Sequence, residues 1–385
     1  MMLLNSIKVL DLTRLLPGPL LTLYLADLGA EVVKIEDTDQ GDYVRWMSVA
    51  GNGSGNLFEA LNRDKKGIKL NLKTPEGVKV FKRLAKEADV VVEGFRPGVM
   101  DKLGVGYEAI KPVNPAIVYC SLSGYGKDGP YSGKAGHDLN YIGVSGTLGV
   151  TGTREKPFIP GVQIGDIAGG SITAFGAIML GLFHKQRTGK GLFLDISMVD
   201  GLIGFMTPYL PYMKTNLKRE EMELTGSIPC YNVYRTQDDK FVTLGALEPK
   251  FWNRFLQMIN RMDLVEEQLA KDEDFKRVYH EVQQVFLSKT RKEWLEFFEN
   301  EDVCVEPVNE LDELLNDPHI KYRGMFGSIK AGADEFITIK NPFHRNEQKR
   351  DFKRAPAGGE HTVEILKKAG YTNEQIEELK RKGVI

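Results

Sequence analysis

Two glycine-flanked stretches of this 385-residue chain hold a histidine and an aspartate. They read Gly136-His137-Asp138-Leu139-Asn140-Tyr141 and Gly165-Asp166-Ile167-Ala168-Gly169-Gly170-Ser171. Backbone with little side-chain cover lets a substrate come close, and each stretch offers one group able to carry a proton. A reaction that takes a proton from one face of a carbon and returns it on the other needs two such groups. Taken singly, His137 reads as an ordinary hydrogen-bonded histidine and Asp166 as the cap of a following helix. At a helix start, however, free N–H groups and the positive end of the dipole stabilise a carboxylate and a nearby oxyanion. Glu248, in Leu247-Glu248-Pro249, also precedes a helix, and Tyr231 reads as a strand aromatic.

The elements that must position these groups alternate. A strand is expected over 7–12, then a helix opened by Pro17-Gly18-Pro19 and stopped by Gly29, then a strand over 31–36. The cycle repeats with a strand over 67–72, a helix capped by Thr74 with Pro75 at its first position, and strands over 88–93 and 116–122. Such alternation predicts an α/β fold: a large, open, Rossmann-like parallel sheet with helices on both faces. A long helix is expected over 166–187 and a strand over 192–197. Beyond about 225 the texture changes to a hairpin around Gln237-Asp238-Asp239-Lys240, followed by charged amphipathic helices. The expected organisation is a large α/β domain over 1–225, a smaller α+β domain over 226–330 and a closing segment over 331–385.

Bulk composition excludes several functions. With 51 basic and 53 acidic residues the formal charge is -2, so no overall field draws in nucleic acid. Arg63, Lys65, Lys66, Lys69, Lys73, Arg96 and Lys102 gather in one stretch that, by itself, reads as a solvated face. Cys120, Cys230 and Cys304 have neither disulfide-framework nor metal-ligand spacing, which suits a reducing, cytoplasmic compartment. No signal peptide is expected, and the apolar stretches over 174–183 and 201–213 are too short or interrupted to span a membrane. The first strand–helix turn, Leu16-Pro17-Gly18-Pro19, replaces backbone N–H groups with prolines where a dinucleotide site needs them. Neither a P-loop nor a G-x-S-x-G nucleophile motif occurs.

Ordered motifs along nearly the whole chain resemble one family. They include Val9-Leu10-Asp11-Leu12, the run from Leu25 to Glu36, Gly41-Asp42-Tyr43-Val44-Arg45 and Leu70-Asn71-Leu72-Lys73. Glu93-Gly94-Phe95-Arg96-Pro97-Gly98-Val99, Ser121-Leu122-Ser123-Gly124-Tyr125-Gly126, Arg187-Thr188-Gly189-Lys190-Gly191 and Gly383-Val384-Ile385 continue the match. The pattern is similar to the class III CoA-transferases and their relatives, the alpha-methylacyl-CoA racemases. The stretch from Gly136 to Tyr141 resembles the racemase histidine motif, and Asp166 matches an aspartate shared by both branches. Tyr231 and Glu248 resemble residues that support the histidine.

The resemblance implies a CoA thioester as ligand, with Arg45, Leu70, Asn71, Leu72, Lys73, Gly94, Phe95, Arg96, Lys102, Gly136, Asp138 and Tyr231 around it. One departure is evident. Racemases carry an arginine just after the second strand for the CoA phosphates; here Glu36-Asp37 occupies that place, and Arg45 is expected to substitute. The implied reaction is racemisation of the α-carbon of a 2-methylacyl-CoA. His137, assisted by Glu248, works on one face and Asp166 on the other, with backbone N–H groups near 165–169 stabilising the enolate. No metal and no cofactor beyond CoA itself is expected. The alternative is CoA transfer between carboxylic acids through an aspartyl-CoA thioester on Asp166. A CoA-ester binding protein would explain the basic positions but not the paired proton carriers. The resemblance also implies an interlocked homodimer, with the closing segment returning to the large domain.

Overall fold

Strands β1 (Lys8–Leu12), β2 (Glu31–Glu36), β3 (Lys66–Lys69), β4 (Val90–Glu93), β5 (Val118–Ser123) and β6 (Leu192–Ser197) form one parallel sheet. Their order is β3-β2-β1-β4-β5-β6, the doubly wound arrangement expected of a Rossmann-like fold. β1 lies at the centre, pairing Val9 with Val32 of β2 on one side and with Val90 of β4 on the other. Burial on both faces explains the unbroken Val90-Val91-Val92 run, all of it inaccessible to water. The computed structural model describes residues 2–47, 56–153, 155–331, 334–343 and 351–385.

β3 ends at Lys69, short of the expected 72, because the closing part of the chain takes over its neighbours. Asn71 N–H donates to the Val384 carbonyl at 2.7 Å. Along the free edge of β3, His361 N–H donates to Gly67 O at 2.9 Å and Gly67 N–H to His361 Nδ1 at 3.2 Å. An edge that would otherwise present unpaired backbone is thereby covered.

Helix α1 (Pro17–Asp27) follows β1, with proline in its first turn. α2 (Asp138–Val144) begins directly after His137. The long helix expected over 166–187 forms, but its first two turns are a π-helix, Gly165–Ile172, before α3 (Thr173–Thr188) continues it. Two hydroxyls fit the wider turns. Ser171 Oγ reaches the Asp166 carbonyl at 3.2 Å and Thr173 Oγ1 the Ala168 carbonyl at 2.9 Å, each five residues back. The joined segment is 24 residues, long and apolar enough by length and composition to cross a membrane, a test that the core helix of a globular protein passes equally. It packs on the sheet: a Cβ at Gly181 would stand 2.8 Å from Val118, so only glycine allows this approach to β5.

The chain divides into two compact units, one of 1–145, 161–205 and 319–385, the other of 146–160 and 206–318. The second thus starts earlier than the expected 226. Arg219 explains this, since its guanidinium donates to the carbonyls of Gly149 and Thr153 and ties 206–225 to 146–160. The return to the first unit comes at 319 instead of 331, where a hairpin of β10 (Phe326–Ala331) and β11 (Asp334–Ile339) follows. Within the second unit, β7 (Tyr231–Arg235), β8 (Phe241–Gly245) and β9 (Val305–Pro307) form an antiparallel sheet. Helices α4 (Pro249–Met258), α5 (Asp272–Phe286) and α6 (Arg291–Phe297) supply Trp252, Phe255, Phe286 and Trp294 to its core.

Beneath α1 the first unit buries four charges. Lys34 pairs with Asp42 at 2.8 Å and Lys65 with Asp11 at 3.3 Å, with all four side chains out of contact with water. Asp11 also accepts from Thr13 N and from the Thr13 and Thr22 hydroxyls, while Lys65 donates to Pro19 O and Asn62 Oδ1. Burial opposes the charge on Asp11, but the two lysines and two hydroxyls overcome it and hold its carboxyl below the usual range. The basic stretch read as a solvated face is therefore corrected at two positions. Lys65 belongs to this network, and the wholly buried Arg63 is bonded to Asp27, Asp64 and Thr338. Replacing Asp11 by Ala strands Lys65 without its carboxylate and is expected to cost roughly 3–5 kcal/mol of stability. Denaturant titration against Lys276→Ala, which breaks an exposed ion pair and should leave stability almost unchanged, checks this.

Candidate active site

In a doubly wound sheet the strand order reverses beside β1, and ligands bind in the crevice outside the carboxyl ends at that point. Here those ends are Leu12-Thr13-Arg14 after β1, Gly94-Phe95-Arg96 after β4 and Ser123-Gly124-Tyr125 after β5. All of them line one cavity of about 600 Å³, together with Gly136, His137 and Asp166. A second cavity of about 500 Å³ opens at the ends of β2 and β3, walled by Asp37 and by Leu70, Asn71, Leu72 and Lys73.

His137 stands at the entrance to α2 with its side chain exposed. Its backbone N–H donates to Asn140 Oδ1 at 3.0 Å. The carbonyl before it, on Gly136, accepts from Tyr141 Oη at 2.5 Å, and the Tyr141 ring meets Tyr125 edge-on at 5.2 Å. The histidine backbone is fixed on both sides while its imidazole stays available.

Asp166 lies inside the first turn of the π-helix, not at its cap as the plain reading had it. Its N–H donates to Asp138 Oδ1 at 2.9 Å, a contact that requires glycine before it, since a Cβ on Gly165 would come within 2.9 Å of the same oxygen. Burial, and then the Asp138 charge, push the Asp166 carboxyl up to about 7. Two of the backbone donors expected near 165–169 are engaged within the protein, Asp166 N–H by Asp138 and Ile167 N–H by Gln163 O.

Glu93, buried at the end of β4, fixes the neighbouring turn by accepting from Phe95 N–H at 2.8 Å, and burial pushes its carboxyl up to about 7. Among the other expected residues, Gly94, Phe95 and Arg96 line the larger cavity and Leu70 to Lys73 the smaller. Asp138 serves as the partner of Asp166 N–H. Lys102 is exposed and lines neither cavity. Arg45 is also corrected. Glu36 holds it at 2.6 and 2.8 Å, Pro356 O accepts from it, and it lies 3.7 Å over the Phe58 ring, outside both cavity walls. Tyr231 begins β7 and Glu248 precedes α4; both are exposed and belong to the second unit. Sequence reasoning missed Arg14, Tyr43 and Tyr125. For Arg14 and Tyr125 the available signal was positional, because residues just past β1 and β5 face the crevice in this strand order.

The fold and site define an α/β protein with a histidine and an aspartate on a crevice at its topological switch point. A family model described as CoA-transferase family III matches residues 4–362, and the chain belongs to that family. Alpha-methylacyl-CoA racemase of Homo sapiens is 35% identical over 390 residues, covering 100% of this chain and 98% of its own. Succinyl-CoA:glutarate CoA-transferase of Homo sapiens is 33% identical over 395 residues, covering 99% and 90%. Among solved structures, a CAIB/BAIF family protein from Brucella suis matches with a TM-score of 0.79 at 28% identity, over 95% of this chain and 98% of that one.

Two predictions follow from the pair of aspartates. In the unfolded chain Asp166 titrates near 3.8, in the folded one at about 7, so folding loses stability as pH rises between these values. Asp166→Asn should match the parent near pH 4 and exceed it by roughly 1–3 kcal/mol at pH 8, read by denaturant titration at each pH. Asp138→Asn keeps an acceptor for Asp166 N–H but removes the charge. The limb of the pH–rate profile belonging to Asp166 should then move down by roughly half to one unit.

Proposed function

We propose that the protein racemises the α-carbon of 2-methylacyl-CoA thioesters by two-base proton transfer. The observation that carries this reading is the placing of His137 and Asp166 on one cavity, with Asp166 poised to hold or release a proton near neutrality. The thioester carbonyl acidifies the α-proton. Neutral His137 takes it from one face, and protonated Asp166 delivers its own to the opposite face of the enolate. The other enantiomer runs the same path backwards, from ionised Asp166 to protonated His137. The enolate needs donors, and the first N–H groups of α2, on Asp138 and Leu139, have no partner within that helix. They directly follow His137 in the chain.

CoA transfer would use Asp166 as a nucleophile, which requires the ionised carboxylate. The upward shift of Asp166 lowers that fraction at neutral pH and favours the proton-carrier role. We assign Glu248 and Tyr231 to the support of His137, in the same chain or across an interlocked homodimer. Exposed Leu180 and Phe183 on α3, with Ile203 and Phe205, give the apolar surface that such a partner copy would cover.

The test is α-carbon exchange of (R)- or (S)-2-methylacyl-CoA in deuterium oxide, without an acceptor acid. The expected result is deuterium incorporation with loss of stereochemistry, reduced at least about a hundredfold in His137→Ala. Absence of exchange, with CoA passing to an added carboxylate and an Asp166 adduct trapped by hydroxylamine, would establish transfer instead.

A further inference from the structure

We infer that Arg14 is the cation that receives the diphosphate of the CoA ester, where the ligand passes from one cavity to the other. This rests on the CoA-thioester reading above but not on which reaction follows. Leu12, Arg14, Tyr43 and Phe95 belong to the walls of both cavities. A ligand with its thioester beside His137 and Asp166 and its nucleotide in the smaller cavity must run past these four side chains. Arg14 is the charged one among them, and the diphosphate is the charged part of CoA between nucleotide and thioester arm.

The guanidinium is held ready for an anion. It lies between the rings of Tyr43 and Phe95, 5.3 and 5.2 Å from their centroids, and its side chain is 26% exposed. Nη2 donates to Asp37 Oδ2 at 2.7 Å and Nη1 to Tyr43 Oη at 3.2 Å. In this state the Asp37 carboxylate occupies the donor fork that would bind phosphate oxygens. Asp37 keeps its own place without Arg14, because its Oδ1 accepts from the N–H groups of Asp39 and Gly41, each at 3.0 Å. Arg14 can therefore exchange one anion for another without unravelling the loop after β2.

The backbone that carries Arg14 is set from below. Lys34 donates to the Thr13 carbonyl at 3.0 Å, and Leu15 N–H to Asp42 Oδ1 at 3.1 Å. Leu15 has a φ of 66°, a left-handed conformation that a branched side chain adopts only when its surroundings impose it. With both neighbours fixed, ligand exchange at Arg14 is confined to its side chain. Arg45, committed to Glu36, is not available for this work, and Lys73 lies on the smaller cavity for the nucleotide end.

Calorimetric titration of CoA and of dephospho-CoA into the full chain tests the assignment. Both ligands retain the diphosphate, so Arg14→Ala should weaken both roughly ten- to a hundredfold. Arg14→Lys should fall between that variant and the parent. Asp37→Asn, which removes the competing charge but keeps an acceptor for the loop, should bind both ligands a few-fold more tightly. Parent-like binding of either ligand by Arg14→Ala overturns the assignment. So does weakening of CoA alone, which would place Arg14 at the 3′-phosphate, or any loss of affinity in Asp37→Asn. If the parent protein binds neither CoA nor dephospho-CoA, the CoA reading itself fails.

Discussion

Four charges sealed from water decide where the loop after β1 runs. Asp11, Lys34, Asp42 and Lys65 pair two by two, and they also bond the backbone of Thr13, Leu15, Pro19 and Val44 and the side chains of Thr22 and Asn62. Desolvating so many charges is unfavourable, and well-packed apolar residues would give as much stability. What apolar residues cannot do is grip individual carbonyl and N–H groups of a loop. Here that grip holds Leu15 in a left-handed conformation and sets the wall common to both cavities. The β4 turn is handled similarly, with Glu93 holding Phe95.

The pair of aspartates, one of them on the larger cavity, depends on a comparable placing of backbone. Asp138 and Asp166 are brought together by a hydrogen bond from the backbone of one to the side chain of the other, so two carboxylates become neighbours without a cation between them. The like charge works together with burial to keep a proton on Asp166. The π-helical opening is part of this design. Its wider turns present Asp166 on a segment bound to α1 through Ser171 Oγ and the Pro17 carbonyl at 2.7 Å. The start of α1 is thereby coupled to the position of the aspartate.

Much of the sheet was legible in the sequence because its signals are local. Val90-Val91-Val92 reads as a doubly buried strand, and Pro17 and Thr74-Pro75 announce their helices. His137 and Asp166 could be found because glycines flank them. Other features have partners too distant for any window to reveal. Lys65 looks like a surface lysine until Asp11, 54 residues away, appears beside it. Arg45 looks available for phosphate until Glu36 and Pro356 claim it. The π-helix was hidden because its glycine-rich run, Gly165 to Ile172, carries no local signal that separates a wide turn from an α-helical one, and only the Ser171 and Thr173 hydroxyls betray the extra width. Arg14 carries no local signal, because only the strand order makes the turn after β1 a wall of the crevice.

The cover over the free edge of β3 gives the molecule a history as well as a shape. Asn71, on the smaller cavity, takes its backbone partner from Val384, and β3 itself is clasped by His361. A chain emerging from a ribosome makes β1, β2 and the first α-helical crossover early, yet leaves this wall unfinished until more than 300 further residues have appeared. The two cavities are thus completed at different times. A chain cut short of its last segment can place His137 and Asp166 on the larger cavity while the smaller one still lacks the partner that Val384 gives Asn71.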